Sequence, residues 1–133
     1  MSHAMFEFSS RSENLAVVRA FVRQFLKAEG IAEGESEALV LGVDEACSNI
    51  IRHAYGAASS RPISLSCERQ GQRVCFRLRD FGAPVDPAQF NRRPLDQVEP
   101  GGLGLYLIEH IFDETVYNPQ PLGTELVLVK LLS

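Results

Sequence analysis

Residues 63–69 and 73–80 alternate apolar and polar side chains on either side of Gln70 and Gly71, and no other stretch limits the fold as tightly. The pattern reads as two antiparallel strands joined by a tight turn. If Ile63, Leu65 and Cys67 share a face with Val74, Phe76 and Leu78, alternation sends Cys75 to the opposite face from Cys67. That parity argues against a disulfide between them. It also turns Asp80, the last residue of the second run, toward the apolar side although it carries a charge.

The elements around this hairpin follow from other periodicities. Residues 5–9 are short enough for an edge strand, with residues 1–4 set aside as uninformative. After Ser12, the residues Leu15, Val18, Phe21, Val22, Phe25 and Leu26 recur at helical spacing until Gly30 ends the helix. A second helix is expected from Ser36 to about Tyr55, with Leu39, Val43, Ala46, Cys47, Ile50 and Ala54 as its apolar stripe and Gly56 as its stop. Residues 81–102 hold four prolines with glycines and charges, so they read as a long loop or lid, centred on 83–100. A third helix follows over 103–112, then strands at 114–117 and 124–132. This order predicts an α+β fold: a two-layer α/β sandwich whose mostly antiparallel sheet is covered on one face by helices. One domain is expected, spanning 5–132.

With 133 residues, 45% of them hydrophobic, there is enough chain for one core and no room for a second. The net charge of −4 offers no basic field for phosphate backbones, which disfavours direct nucleic-acid binding. No run approaches the ~20 apolar residues of a membrane span, and residues 1–9 lack the makings of a signal peptide, so a cytoplasmic location with no membrane partner is expected. The three cysteines form no CxxC pair and no zinc spacing.

Four places carry chemistry. Glu45, Asn49 and His53 are spaced i, i+4, i+8 and form a polar row at the edge of the second helix's apolar stripe, while Asp44, Ser48 and Arg52 at the back are expected to face water. Such a row suits a ligand pocket, and equally a solvated flank. Asp80 is either a buried acid with a partner or a turn cap, and Gly82 beside it would let a flat ligand come close. Gly101, Gly102, Leu103 and Gly104 open a helix with exposed amides, a phosphate site or a simple hinge. Gly123 and Thr124 begin the last strand. There is no GxxxxGK[ST], and the glycines do not follow the first strand of a βαβ unit, so the two commonest nucleotide folds are not indicated.

The four pieces occur in an order that resembles the ATP-binding fold shared by histidine kinases, gyrases and the anti-sigma-factor serine kinases, often called the Bergerat fold. Within it, Glu45-Ala-Cys-Ser-Asn49-Ile-Ile-Arg-His53-Ala-Tyr55, Asp80-Phe-Gly82-Ala-Pro84 and Gly102-Leu-Gly104-Leu-Tyr-Leu-Ile108 are most similar to the boxes of the anti-sigma-factor kinases. Pro84 stands where histidine kinases usually have another glycine.

That resemblance implies ATP and Mg²⁺. Asn49 would hold the metal through its side-chain oxygen, Asp80 would accept from the adenine amino group, and Thr124 would lie at the adenine end. Gly82 would permit close approach, and the amides of Gly101, Gly102, Leu103 and Gly104 would hold the phosphates. Glu45 would be the general base toward a serine or threonine hydroxyl. His53 would border the nucleotide, with packing or lid contact as its other roles. Arg92 and Arg93 of the lid would contact phosphate, a partner or water. The implied partners are an anti-anti-sigma protein of the STAS type, which is phosphorylated, and a sigma factor or other regulator, which is bound. Homodimerisation is also implied, the apolar face of the first helix being either an interface or core. The competing readings are an ATP-dependent partner-switch module without phosphotransfer and a stand-alone histidine-kinase-like ATPase domain, which lacks its phosphoacceptor helix here.

Overall fold

A computed structural model describes residues 2–55, 60–82 and 104–133. The expectations for Gly56, the lid at 83–100 with Arg92 and Arg93, and Gly101, Gly102 and Leu103 lie outside the described residues. The hairpin is present as β2 (Pro62–Gln70) and β3 (Arg73–Asp80). Gln70 pairs with Arg73, so the loop is Gly71 and Gln72, one residue later than the sequence reading placed it. Gly71 has φ +60°, the left-handed conformation that the first position of a two-residue type II′ loop demands.

On the N-terminal side, β1 (Ser2–Ser9) pairs with β2 along its whole length. It begins three residues earlier than expected because residues 67–69 of β2 supply ladder partners for Ser2, His3 and Ala4. At the other end, β5 (Thr124–Leu131) pairs with β3, and β4 (Glu114–Pro119) pairs with β5. The strand order is β1-β2-β3-β5-β4, antiparallel throughout, which puts β3 at the centre.

Three helices cover one face of this sheet. Between β1 and the first helix lies a short 3₁₀ turn, Ser12–Asn14, and then α1 (Leu15–Ala28) buries Val18, Val22, Phe25 and Leu26, with Leu15 and Phe21 packed at the margin. Val18, Val22, Phe25 and Leu26 of α1 are therefore core, whereas Val17 on the same helix is exposed. Gly30, at φ +73°, ends it. α2 (Glu33–Ile50) begins three residues before Ser36 and contributes Leu39, Val43, Ala46, Cys47 and Ile50. Its last turn, Ile51–Tyr55, widens to π-helical geometry, which turns the residues beyond Asn49 away from the straight-helix row.

The third helix, α3 (Gly104–Ile111), lies alongside α2. A Cβ on Gly42 would come within 2.6 Å of the Phe112 ring and 3.3 Å of Ile111 Cγ2, so only glycine lets the two elements approach this closely. Ile63, Leu65, Cys67, Phe76, Leu78 and Leu128 meet the helices from the sheet. Full burial of a side chain such as Phe76 contributes about 1.5–3 kcal/mol. Cys75 packs with Val127 and Val129 on the opposite face, so the parity deduced for the two cysteines holds, and both thiols are free.

Candidate nucleotide site

Asp80 ends the central strand. It pairs in register with Ile63 on one side and Thr124 on the other, and Ile63 is core, so the Asp80 side chain faces the helices. The residue is only 3% exposed. Its Oδ1 accepts the Gly82 N–H at 3.1 Å, an Asx-type turn that folds the chain back at the strand end. Burial pushes the Asp80 carboxyl above the usual aspartate range, and the main-chain N–H groups of Gly82 and Thr124, together with the Arg79 guanidinium, pull the other way. Thr124 is itself buried. Asp80, Gly82 and Thr124 thus form one cluster at one end of the sheet.

Gly123 makes that cluster possible. Its φ is +81°, and a Cβ there would lie 2.6 Å from the Asp80 carbonyl carbon and 2.7 Å from Phe81 Cα. Arg79 crosses the same peptide, donating Nη1 to the Asp80 carbonyl and lying over the Phe81 ring at 4.3 Å.

The other half of the site is on α2. Gly42, Glu45 and Asn49 are spaced i, i+3, i+7, so Glu45 and Asn49 lie within about 60° of the face that packs on α3. Glu45 is half-buried, and desolvation, with the neighbouring Asp44, raises its carboxyl pKa against the pull of Arg52. Asn49 is 6% exposed, and its Oδ1 accepts Arg52 Nη2 at 2.8 Å. His53, displaced by the π turn, is exposed; partial desolvation and the Arg52 charge hold its pKa below the usual histidine value.

The expectation that Asp44, Ser48 and Arg52 point to water needs correction for Asp44 and Ser48. Asp44 is half-buried and paired with Arg19 of α1 at 3.0 Å, and Ser48 is half-buried; Arg52 is exposed as expected, with its guanidinium also donating to Asn49. The partners come from a neighbouring helix and from the next turn, and helical periodicity along one element does not see them.

The sequence places Tyr55 at the end of the first box but assigns it no role, and it ties the two halves together. Its hydroxyl accepts the Phe81 N–H at 2.6 Å and donates to the Pro62 carbonyl at 2.7 Å. Arg61 stacks over its ring at 4.9 Å and donates Nη2 to the Phe81 carbonyl at 3.2 Å. The available signals were a tyrosine closing the box that begins at Glu45, and an Arg-Pro pair opening β2.

A buried acid at the end of the central strand, with a glycine two residues on and a carboxylate-amide pair on the adjoining helix, coincides with a family model. The model for the histidine kinase-like ATPase domain matches residues 8–130. The chain belongs to this family. Within the histidine kinase-like ATPases it lies in the anti-sigma-factor branch: an anti-sigma F factor of Pasteuria penetrans is 30% identical over 132 residues, covering 95% of this chain and 88% of that protein. Serine-protein kinase RsbW of Bacillus subtilis is 28% identical over 113 residues, 79% of this chain and 71% of that one. Among solved structures, the RsbU and RsbW domains of Rv1364c from Mycobacterium tuberculosis superpose with a TM-score of 0.74 at 19% identity. That match covers 99% of this chain and 33% of the other, and supports the ATPase fold.

Proposed function

We propose that this protein is an ATP-dependent serine/threonine kinase that acts as an anti-sigma factor and phosphorylates an anti-anti-sigma partner of the STAS type. The observation that carries the reading is the buried Asp80, set against Thr124 and Gly82. A carboxylate held out of water needs a donor, and the exocyclic amino group of adenine is one. Gly82 leaves the approach open to a flat base.

The residues present also fit Mg²⁺. Asn49 offers a hard carbonyl oxygen. That suits a metal held by few protein ligands together with phosphates and water. Mg²⁺ held there would supply positive charge to offset that of the phosphates. Arg52 must then give up the Asn49 oxygen.

Glu45 is one turn before Asn49 and serves as general base. Its carboxylate takes the proton of a serine or threonine hydroxyl as that oxygen bonds to the γ-phosphorus. The bond from phosphorus to the β–γ bridging oxygen breaks, and ADP leaves with the electron pair. The raised Glu45 pKa makes it a stronger base than a solvated glutamate. Gly101, Gly102, Leu103 and Gly104 are assigned to the phosphates, since they lead into the N-terminus of α3, where free N–H groups and the helix dipole favour anions.

The partner set follows from the same branch: an anti-anti-sigma protein that is phosphorylated, and a sigma factor or other regulator that is bound. A cytoplasmic setting fits, and no helix among the described residues is long and apolar enough to cross a membrane. The test is incubation with Mg²⁺ and ATP labelled at the γ-phosphate, in the presence of a candidate anti-anti-sigma domain of the STAS type. Label on a serine or threonine of that domain supports the kinase. ATP binding with no transfer to any such partner rejects it.

A further inference from the structure

The β2–β3 ladder ends with Ile63 opposite Asp80, so its next pair would be Pro62 opposite Phe81. That pair is not joined directly. Proline has no N–H to give the Phe81 carbonyl, which takes Arg61 Nη2 instead. The Phe81 N–H and the Pro62 carbonyl, which could have bonded each other, both bond the hydroxyl of Tyr55, at 2.6 and 2.7 Å. A side chain from the end of the α2 segment therefore stands where the next rung of the central hairpin would be.

The consequence falls on Asp80. Phe81 leaves the sheet through a slot bounded by Tyr55 on the β2 side and by Gly123, too close for any Cβ, on the β5 side. The turn that brings the Gly82 N–H onto Asp80 Oδ1 begins at this peptide. Both main-chain polar groups of Phe81 are held by side chains, so the direction of the Asp80 carboxylate is set from outside the ladder.

We infer that Tyr55, assisted by Arg61, is a specificity-determining positioning residue: it replaces the ladder rung after Asp80 and so fixes where that carboxylate meets the 6-substituent of a purine. The inference rests on the assignment of Asp80 to the base. Without the hydroxyl, Phe81 N–H and Pro62 C=O are free to close on each other, drawing Phe81 into the sheet and swinging the carboxylate. Binding through the phosphates does not depend on this hinge.

The test compares equilibrium binding of ATP and ITP, which has a carbonyl where ATP has an amino group, to the full chain and to Tyr55→Phe, Arg61→Gln and Asp80→Asn. Tyr55→Phe should lower the preference for ATP over ITP by about tenfold or more, through weaker ATP binding with ITP affinity little changed. A merely structural loss would weaken both equally and leave the ratio intact. Arg61 is exposed, so Arg61→Gln keeps the question open to measurement if Tyr55→Phe fails to fold, and it should shift the ratio in the same direction. If Asp80→Asn removes the preference while neither Tyr55→Phe nor Arg61→Gln alters it, the inference is overturned and the base assignment stands. If Asp80→Asn also leaves the ratio unchanged, the base assignment itself falls and the inference with it.

Discussion

Gly123 lies directly against the main chain of Asp80: with φ at +81°, it has no room for a Cβ beside the Asp80 carbonyl carbon and Phe81 Cα. The obstacle is backbone at a strand end, which cannot rotate away as a flexible side chain could. Gly123→Ala should therefore cost about 2 kcal/mol or more, from the positive φ and the overlap together. It should also weaken ATP binding, because the Asp80 peptide must move. Urea unfolding and ATP titration of the same variant check both effects. A stable variant with normal ATP affinity would show that this contact does not shape the site.

Gly42 is a second close approach, with a different outcome. Alanine gains about 1 kcal/mol of helix propensity over glycine, but the added methyl meets the buried Phe112 ring at 2.6 Å. Overpacking of this kind costs about 1–3 kcal/mol, so Gly42→Ala should be net destabilising. Trimming the ring should relieve it, and the cost of Gly42→Ala in a Phe112→Leu background should be smaller than in the parent. Equal costs in the two backgrounds would mean that the ring is not the obstacle.

The Asp80 pKa gives a pH dependence of determined sign. Burial raises it in the folded state, so its contribution to the stability of the nucleotide-free protein is fully present below the ordinary aspartate pKa and is lost as pH rises through the raised value. A donor on the base favours the charged form, so ATP binding should strengthen over the same interval and release protons. The thermal shift produced by saturating ATP should thus grow from acid to neutral pH, and Asp80→Asn should flatten that growth. A shift with the same pH profile in the variant would assign the effect to another group.

Glu45 should leave its mark on the rate. A general base works only when deprotonated, so phosphotransfer should fall as pH drops through its raised pKa, with a midpoint above that of a solvated glutamate. Removing the Arg52 charge, which lowers this pKa, should move the midpoint further up. The pH–rate profiles of the parent and Arg52→Met, taken at saturating ATP, measure both positions.

The parts of the fold that depend on local pattern were legible in the sequence. Strict alternation along β2 and β3 gave the hairpin and the inward parity of Asp80, and the apolar stripes gave α1 and α2. What escaped depends on partners distant in sequence. Ser2, His3 and Ala4 become strand only because β2 extends to meet them. Asp44 reads as a water-facing residue until Arg19 arrives from α1, and the hydrogen bond from Arg52 to Asn49 is likewise invisible to periodicity. The hydroxyl of Tyr55 fills a missing sheet rung, and no periodicity encodes such a substitution. At the site, residue types and their order suggested the chemistry, whereas the placement of Gly123 against Asp80 needed coordinates.

The central claim divides labour within one site: Asp80 and Asn49 bind, and Glu45 reacts. Its most direct test is Glu45→Gln assayed two ways on the same preparation, for ATP affinity and for the rate of γ-phosphoryl transfer to the STAS partner. The expected result is a loss of about 10²–10⁴ in transfer with ATP affinity essentially unchanged. Parallel loss of binding and transfer, or full transfer without the carboxylate, would contradict it.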